Sequence, residues 1–109
     1  RIIISEIIRE KALENLEEEV PHGIFVEIEK ILEREKKDLI DVHAVIYCEK
    51  QSHKGIVIGK GGKMLKRIGQ DARADIERLL GSQVNLQLWV KVEKNWREKE
   101  GKIRYFGYK

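Results

Sequence analysis

The chain has one cysteine, one proline and few aromatic residues, and each scarcity excludes something. With Cys48 alone no internal disulfide can form, which points to a reducing compartment. No apolar run approaches the roughly 20 residues that span a bilayer. No charged, apolar and small-residue segments follow one another as in a signal peptide. His22, His43 and His53 are scattered without a ligand spacing, so neither a metal nor another cofactor is expected. The many acids before residue 50 form no recognisable acid/base pair, so no catalytic residue is assigned. Acid itself is missing from one stretch. Between Lys50 and Arg67 there are six positive residues and no negative one.

What is present is a chain of 109 residues, 41% of them hydrophobic, enough for one domain with one core. Arg1 stands where a Met would be expected, which suggests a piece of a longer protein. Residues 1–49 hold 7 Lys/Arg against 13 Asp/Glu, and residues 50–109 hold 15 against 6. The overall charge of +3 therefore hides an acidic half and a basic half. A dense basic patch of this kind favours a polyanion, although charge runs are often only solvated faces.

Residues 1 to about 17 read as a helix, with Ile4, Ile8, Ala12 and Leu16 at a spacing of four. Val20-Pro21-His22-Gly23 breaks the chain. Ile24 to about Arg34 reads as a strand in which Ile31 and Leu32 disturb the alternation, so a bulge or an early end is expected. After the polar Glu35–Asp38 link, a second strand runs over about Leu39–Glu49. Ser52 is a candidate N-cap for a short helix to about Ile58. A longer helix over about Lys63–Leu80 carries the stripe Leu65, Ile68, Ala72, Ile76 and Leu79, and Gly81 stops it. Gly69 lies inside that helix, where close approach of another backbone would explain it. Gln83–Glu93 is the cleanest strand. Asn95 and Glu98 resemble a capping box for a tail helix at about 96–105. The fold class is α+β: one three-stranded mixed sheet with helices on one face and a largely polar second face.

The two helices meet at Gly59-Lys60-Gly61-Gly62. A flexible basic turn that opens a helix is a place for an anion, because exposed N–H groups and the positive end of the helix dipole coincide. The spacing is wrong for a nucleotide-hydrolysing loop. Gly55 and Gly59 are separated by three residues rather than four, and Gly61 stands where a hydroxyl should hold magnesium. A dinucleotide fingerprint fails as well. The glycines admit close backbone approach by a phosphate, and Lys60, Lys63, Lys66 and Arg67 add charge. Lys54 is a further candidate contact. Ile56, Val57 and Ile58 offer an apolar wall for bases, with strand 39–49 expected opposite. The bland alternative is a plain helix–helix turn. Trp89, Trp96, Tyr105, Phe106 and Tyr108 are expected to pack at the core or its rim rather than to stack on bases.

The Ile58-Gly59-Lys60-Gly61-Gly62 turn between two helices resembles the G-x-x-G loop of KH domains, which clamps about four nucleotides of single-stranded RNA. The order of elements resembles the type II arrangement, α-β-β-α-α-β, over residues 1–109. Ser5–Lys11, Val26–Glu29, Ile68-Gly69, Leu88–Val92 and Phe106–Tyr108 narrow the resemblance to the C-terminal domain of the Era-like bacterial GTPases. That resemblance implies binding near the 3′ end of small-subunit ribosomal RNA, a role in assembling the ribosomal small subunit, and a preceding GTPase domain missing from this chain. It also implies a cytoplasmic protein that can associate peripherally with the inner membrane, which the residues themselves do not support. A KH domain from another bacterial transcription or ribosomal factor, or a KH-like protein-interaction domain without RNA binding, remain the alternatives. One departure from the pattern is Gly61, which leaves Lys60 as the loop's only side-chain charge.

Overall fold

The computed structural model describes residues 1–16, 24–35 and 38–94, and the expected break at 20–23 and tail helix at 96–105 lie outside them. Helix α1 (Ile2–Leu16) buries Ile4, Ile8, Ala12 and Leu16 and nothing else, as a spacing of four dictates. Strand β1 (Ile24–Arg34) pairs antiparallel with β2 (Leu39–Cys48), and β2 pairs parallel with β3 (Gln83–Val92). The parallel pair requires a crossover. It is supplied by α2 (Gln51–Ile58), a single 3₁₀ turn (Lys60–Gly62) and α3 (Lys63–Leu80). The sheet order β1-β2-β3 leaves β2 central and β3 at an edge.

The disturbed alternation in β1 is a bulge. Ile28 pairs with Ala44 and Lys30 with His43, so Glu29 is the extra residue. The bulge shifts the phase by one. Ile24, Val26 and Ile28 before it and Ile31 after it all face the helices and join one core. Without the bulge Ile31 would point to the opposite face.

The helix-facing side chains of β2, Val42, Ala44, Ile46 and Cys48, are completely buried under α1 and α3. The two helices are tied by Lys11 Nζ to Asp75 Oδ2 at 3.0 Å and by Asn15 Nδ2 donating to Asp71 Oδ2 at 3.0 Å. Each fully buried Ile, such as Ile8, Ile46, Ile68 and Ile76, contributes about 1.5–3 kcal/mol by leaving water. Where α3 ends, Gly81 takes a left-handed φ of 70° and its N–H donates to Glu77 O at 2.8 Å. The Glu77 carboxylate accepts from the Val84 N–H, also at 2.8 Å, and so ties the end of α3 to the start of β3.

Three expectations need correction. Ser52 does not cap α2: the cap position is Lys50, with no side-chain hydrogen bond, because the helix begins at Gln51, two residues earlier than a Ser52 cap requires. Leu79 leaves the α3 core stripe, since the last turn carries Leu79 and Leu80 to the surface. The outer face of the sheet is not uniformly polar. Phe25, Val45 and Tyr47 form a second buried cluster there, with the two rings stacked at 6.2 Å. Further along that face a charged network crosses all three strands. Asp41 accepts from Arg34 Nε at 2.7 Å and from Asn85 Nδ2 at 2.9 Å. The Arg34 hydrogen bond, then that of Asn85, holds the Asp41 carboxyl below its ordinary range.

Candidate nucleic-acid interface

The turn between α2 and α3 is built by glycine. Gly59 has φ 75° and ψ 173°, a region open to glycine almost alone. A Cβ there would also sit 2.6 Å from Met64 Cβ and 2.9 Å from Met64 N. Gly59 is therefore required twice, by its dihedrals and by the first turn of α3 packed against it. Gly61 and Gly62 follow in left-handed conformation with open space around them.

Not every N–H of this turn is available to a ligand. Gly59 N–H donates to Gly55 O at 2.9 Å and closes α2, and Gly62 N–H donates to Gly59 O at 3.1 Å. The N–H groups of Lys60 and Gly61 come between these two, at the start of a helical turn where the first donors have no internal acceptor. The loop's free donors are thus centred on Lys60 and Gly61, and Gly59 and Gly62 shape the backbone that presents them.

Lys60, Lys63, Lys66 and Arg67 are all exposed. Among the described residues none of the four forms an ion pair; the salt bridges found belong to Lys11, Arg34, Arg73 and Arg78. Lys54 is half-buried and lies close enough to Cys48 to act on its thiol electrostatically. Ile56 and Ile58 are half-buried against the core. Val57 is completely buried, so it has no surface for a base and instead anchors α2 to the core. Cys48 is buried, and loss of hydration pushes its thiol up to about 11, the range of an inert core cysteine.

Beside the loop runs a groove of about 450 Å³ lined by Gly62, Leu65, Lys66, Gly69, Gln70, Arg73, Leu86 and Leu88. The apolar members are Leu65 from α3 and Leu86 and Leu88 from β3. The rim is the polar row Lys66, Gln70 and Arg73, one face of α3 at spacings of four and three. The wall opposite α3 in this groove is β3, and the strand over 39–49, expected opposite Ile56–Ile58, does not line it. As the central strand, β2 has Val42, Ala44, Ile46 and Cys48 at zero exposure on its helix-facing side, and none of its residues lines this groove.

Gly69 is explained by this groove rather than by a close backbone approach. A Cβ at Gly69 would meet only Leu88 Cδ1, at an ordinary 3.6 Å. The missing side chain leaves the middle of the groove open. Sequence reasoning missed Leu65, Gly69, Gln70, Arg73, Leu86 and Leu88 as a lining. The one available signal was the Lys66–Gln70–Arg73 row beside an unexplained glycine.

An α-β-β-α-α-β chain whose parallel strands are joined through two helices and a glycine turn has the type II KH architecture. The chain belongs to the KH domain family, whose profile matches residues 19–97. Within that family it is similar to the C-terminal part of the GTPase Era. It is 62% identical over 108 residues to GTPase Era of Caldanaerobacter subterraneus subsp. tengcongensis, matching 99% of this chain and 36% of that protein. It is 61% identical over 108 residues to GTPase Era of Clostridioides difficile, with the same shares. The chain thus spans about a third of the length of these relatives. Two solved Era structures superpose with a TM-score of 0.87 at 40% identity, each over 99% of this chain and 36% of theirs. One is Aquifex aeolicus Era bound to GDP and aluminium fluoride. The other is Era in complex with MgGDPNP and nucleotides 1506–1542 of 16S ribosomal RNA.

Proposed function

We propose that this chain grips single-stranded RNA, with the phosphates on the Gly59–Gly62 turn and the bases along the groove between α3 and β3. The observation that carries the reading is the continuity of the two features. A turn with donors at Lys60 and Gly61, and with four exposed cations that have no acid partner among the described residues, opens directly into a groove with an apolar floor. Phosphate on the loop supplies sequence-independent affinity, and the groove selects among bases.

The similarity to Era, one member of which is seen with 16S ribosomal RNA, supports the region near the 3′ end of small-subunit ribosomal RNA as the target. On this reading the domain brings the RNA to an Era-like GTPase in the cytoplasm during assembly of the ribosomal small subunit. Hydrolysis of GTP belongs to the part of such a protein that this chain does not span. No helix among the described residues is long and apolar enough to cross a membrane.

The test replaces Lys60 and Gly61 with Asp. Asp tolerates the left-handed conformation of position 61, so the fold is expected to survive. Binding of a ribosomal RNA 3′-end oligomer is expected to be lost with the circular dichroism spectrum unchanged. Undiminished binding by the folded double variant would refute the loop as the phosphate clamp.

A further inference from the structure

The sheet face turned away from the groove carries an aromatic side chain that nothing above uses. Trp89 is 43% exposed, although a tryptophan normally buries most of its surface in a core or at an interface. Its ring sits edge-to-face with His43, at a centroid separation of 5.4 Å. Single exposed apolar residues are commonplace, so exposure alone decides nothing.

The neighbourhood decides more. Side chains on a strand alternate between faces. Leu86 and Leu88 therefore line the groove while Gln87, Trp89 and Lys91 stand on the opposite face of the same strand. Gln87 and Lys91 flank Trp89 at two-residue steps, each about 7 Å along the strand. No acid occurs within β3 itself, and the first on its outward row is Glu93, two residues beyond Lys91 and just past the strand end. The nearest outward-facing acid in the same cross-strand row is Glu27, two strands away on β1. Finally, β3 is an edge strand. The groove and the outer face are separated by one strand's width, about 5 Å, and among the described residues no strand pairs along its far side.

We propose that β3 is a two-sided nucleic-acid strand: single-stranded RNA leaving the groove passes over the β3 edge and stacks one base on Trp89, with Lys91 meeting a phosphate and Gln87 a base edge. The proposal rests on the reading that the groove holds RNA. It extends the footprint beyond the roughly four nucleotides a G-x-x-G clamp accounts for. Stacking suits this position because it needs only a ring and tolerates any base.

The test compares two RNAs sharing one core sequence, of about four nucleotides and about twelve, the second within the usual range of extended single-strand sites. Both are titrated by fluorescence anisotropy against the 109-residue chain and its Trp89→Ala, Trp89→Phe and Lys60→Asp variants. Trp89→Ala is expected to weaken the long RNA by roughly 5- to 150-fold and to leave the short one unchanged. Trp89→Phe is expected to restore most of the loss, which a packing defect would not require. If Lys60→Asp weakens the short RNA while Trp89→Ala leaves the long one untouched, the groove reading stands and the Trp89 platform is refuted. Equal losses on both lengths from Trp89→Ala also refute it. If the short RNA fails to bind the wild-type chain at all, the groove reading falls first and takes this one with it.

Discussion

Replacing Gly59 with Ala tests whether the turn is built as described. Two costs add. An L-residue at φ 75° and ψ 173° sits in a region that costs about 1–3 kcal/mol. The new Cβ would lie 2.6 Å from Met64 Cβ and 2.9 Å from Met64 N, so the first turn of α3 must move, an overpacking cost of about 1–3 kcal/mol. The total, about 2–6 kcal/mol, is a large part of the 5–15 kcal/mol that holds a typical domain together. Gly61→Ala serves as the control. Its φ of 63° and ψ of 20° lie in the ordinary left-handed region with no atom within 4 Å, so it should cost only about 1–2 kcal/mol. Urea unfolding followed by far-ultraviolet circular dichroism measures both. With a slope near 2 kcal/mol/M, Gly59→Ala should lower the midpoint by about 1–3 M. A loss no larger than that of Gly61→Ala would show that Gly59 is not pinned between the two helices.

Gly69→Ala should act in the opposite sense on stability: it gains up to about 1 kcal/mol of helix propensity, because the Cβ meets only Leu88 Cδ1 at 3.6 Å. It should weaken RNA at the same time, since that Cβ enters the groove; thermal melting and anisotropy read the two effects separately. Asp75 is held below its ordinary 3.8 by hydrogen bonds from Lys11 and then Arg78, and Asp41 is held down by Arg34 and Asn85. Lowered carboxyl values mean stability that is present above 3.8 and lost as pH falls through the folded value, so a melting series into acid should flatten in the Asp41→Asn, Asp75→Asn double variant. Cys48, pushed up to about 11 by burial, should resist a thiol reagent at pH 8 in the native chain and react once urea unfolds it.

The parts read correctly from the sequence are those that depend on local periodicity. The α1 stripe Ile4–Ile8–Ala12–Leu16 is buried as its spacing requires, and the Ile31-Leu32 irregularity does mark a bulge. The errors arose where a distant element decides the outcome. Period two places Leu86 and Leu88 on the inner face of β3, but whether a helix seals that face or leaves a groove depends on Gly69, on another element. The same limit hid Val57, whose neighbours Ile56 and Ile58 stay half-exposed while it is sealed. It also hid Phe25, Val45 and Tyr47, which alternate with core residues as polar outward positions would. Strand 39–49 was a reasonable wall until the pairing order made it central, since no local pattern distinguishes an edge strand from a middle one.

The central claim, a phosphate grip by Lys60, Lys63, Lys66 and Arg67 on single-stranded RNA, is tested most directly by the salt dependence of affinity. Each phosphate contact on a single strand contributes about −0.7 to the slope of log K against log salt, so four contacts give about −3. Lys66→Ala should reduce that magnitude by about 0.7 on every RNA tested. A slope near zero in the folded wild-type chain, or one that Lys66→Ala leaves unchanged, would contradict the account.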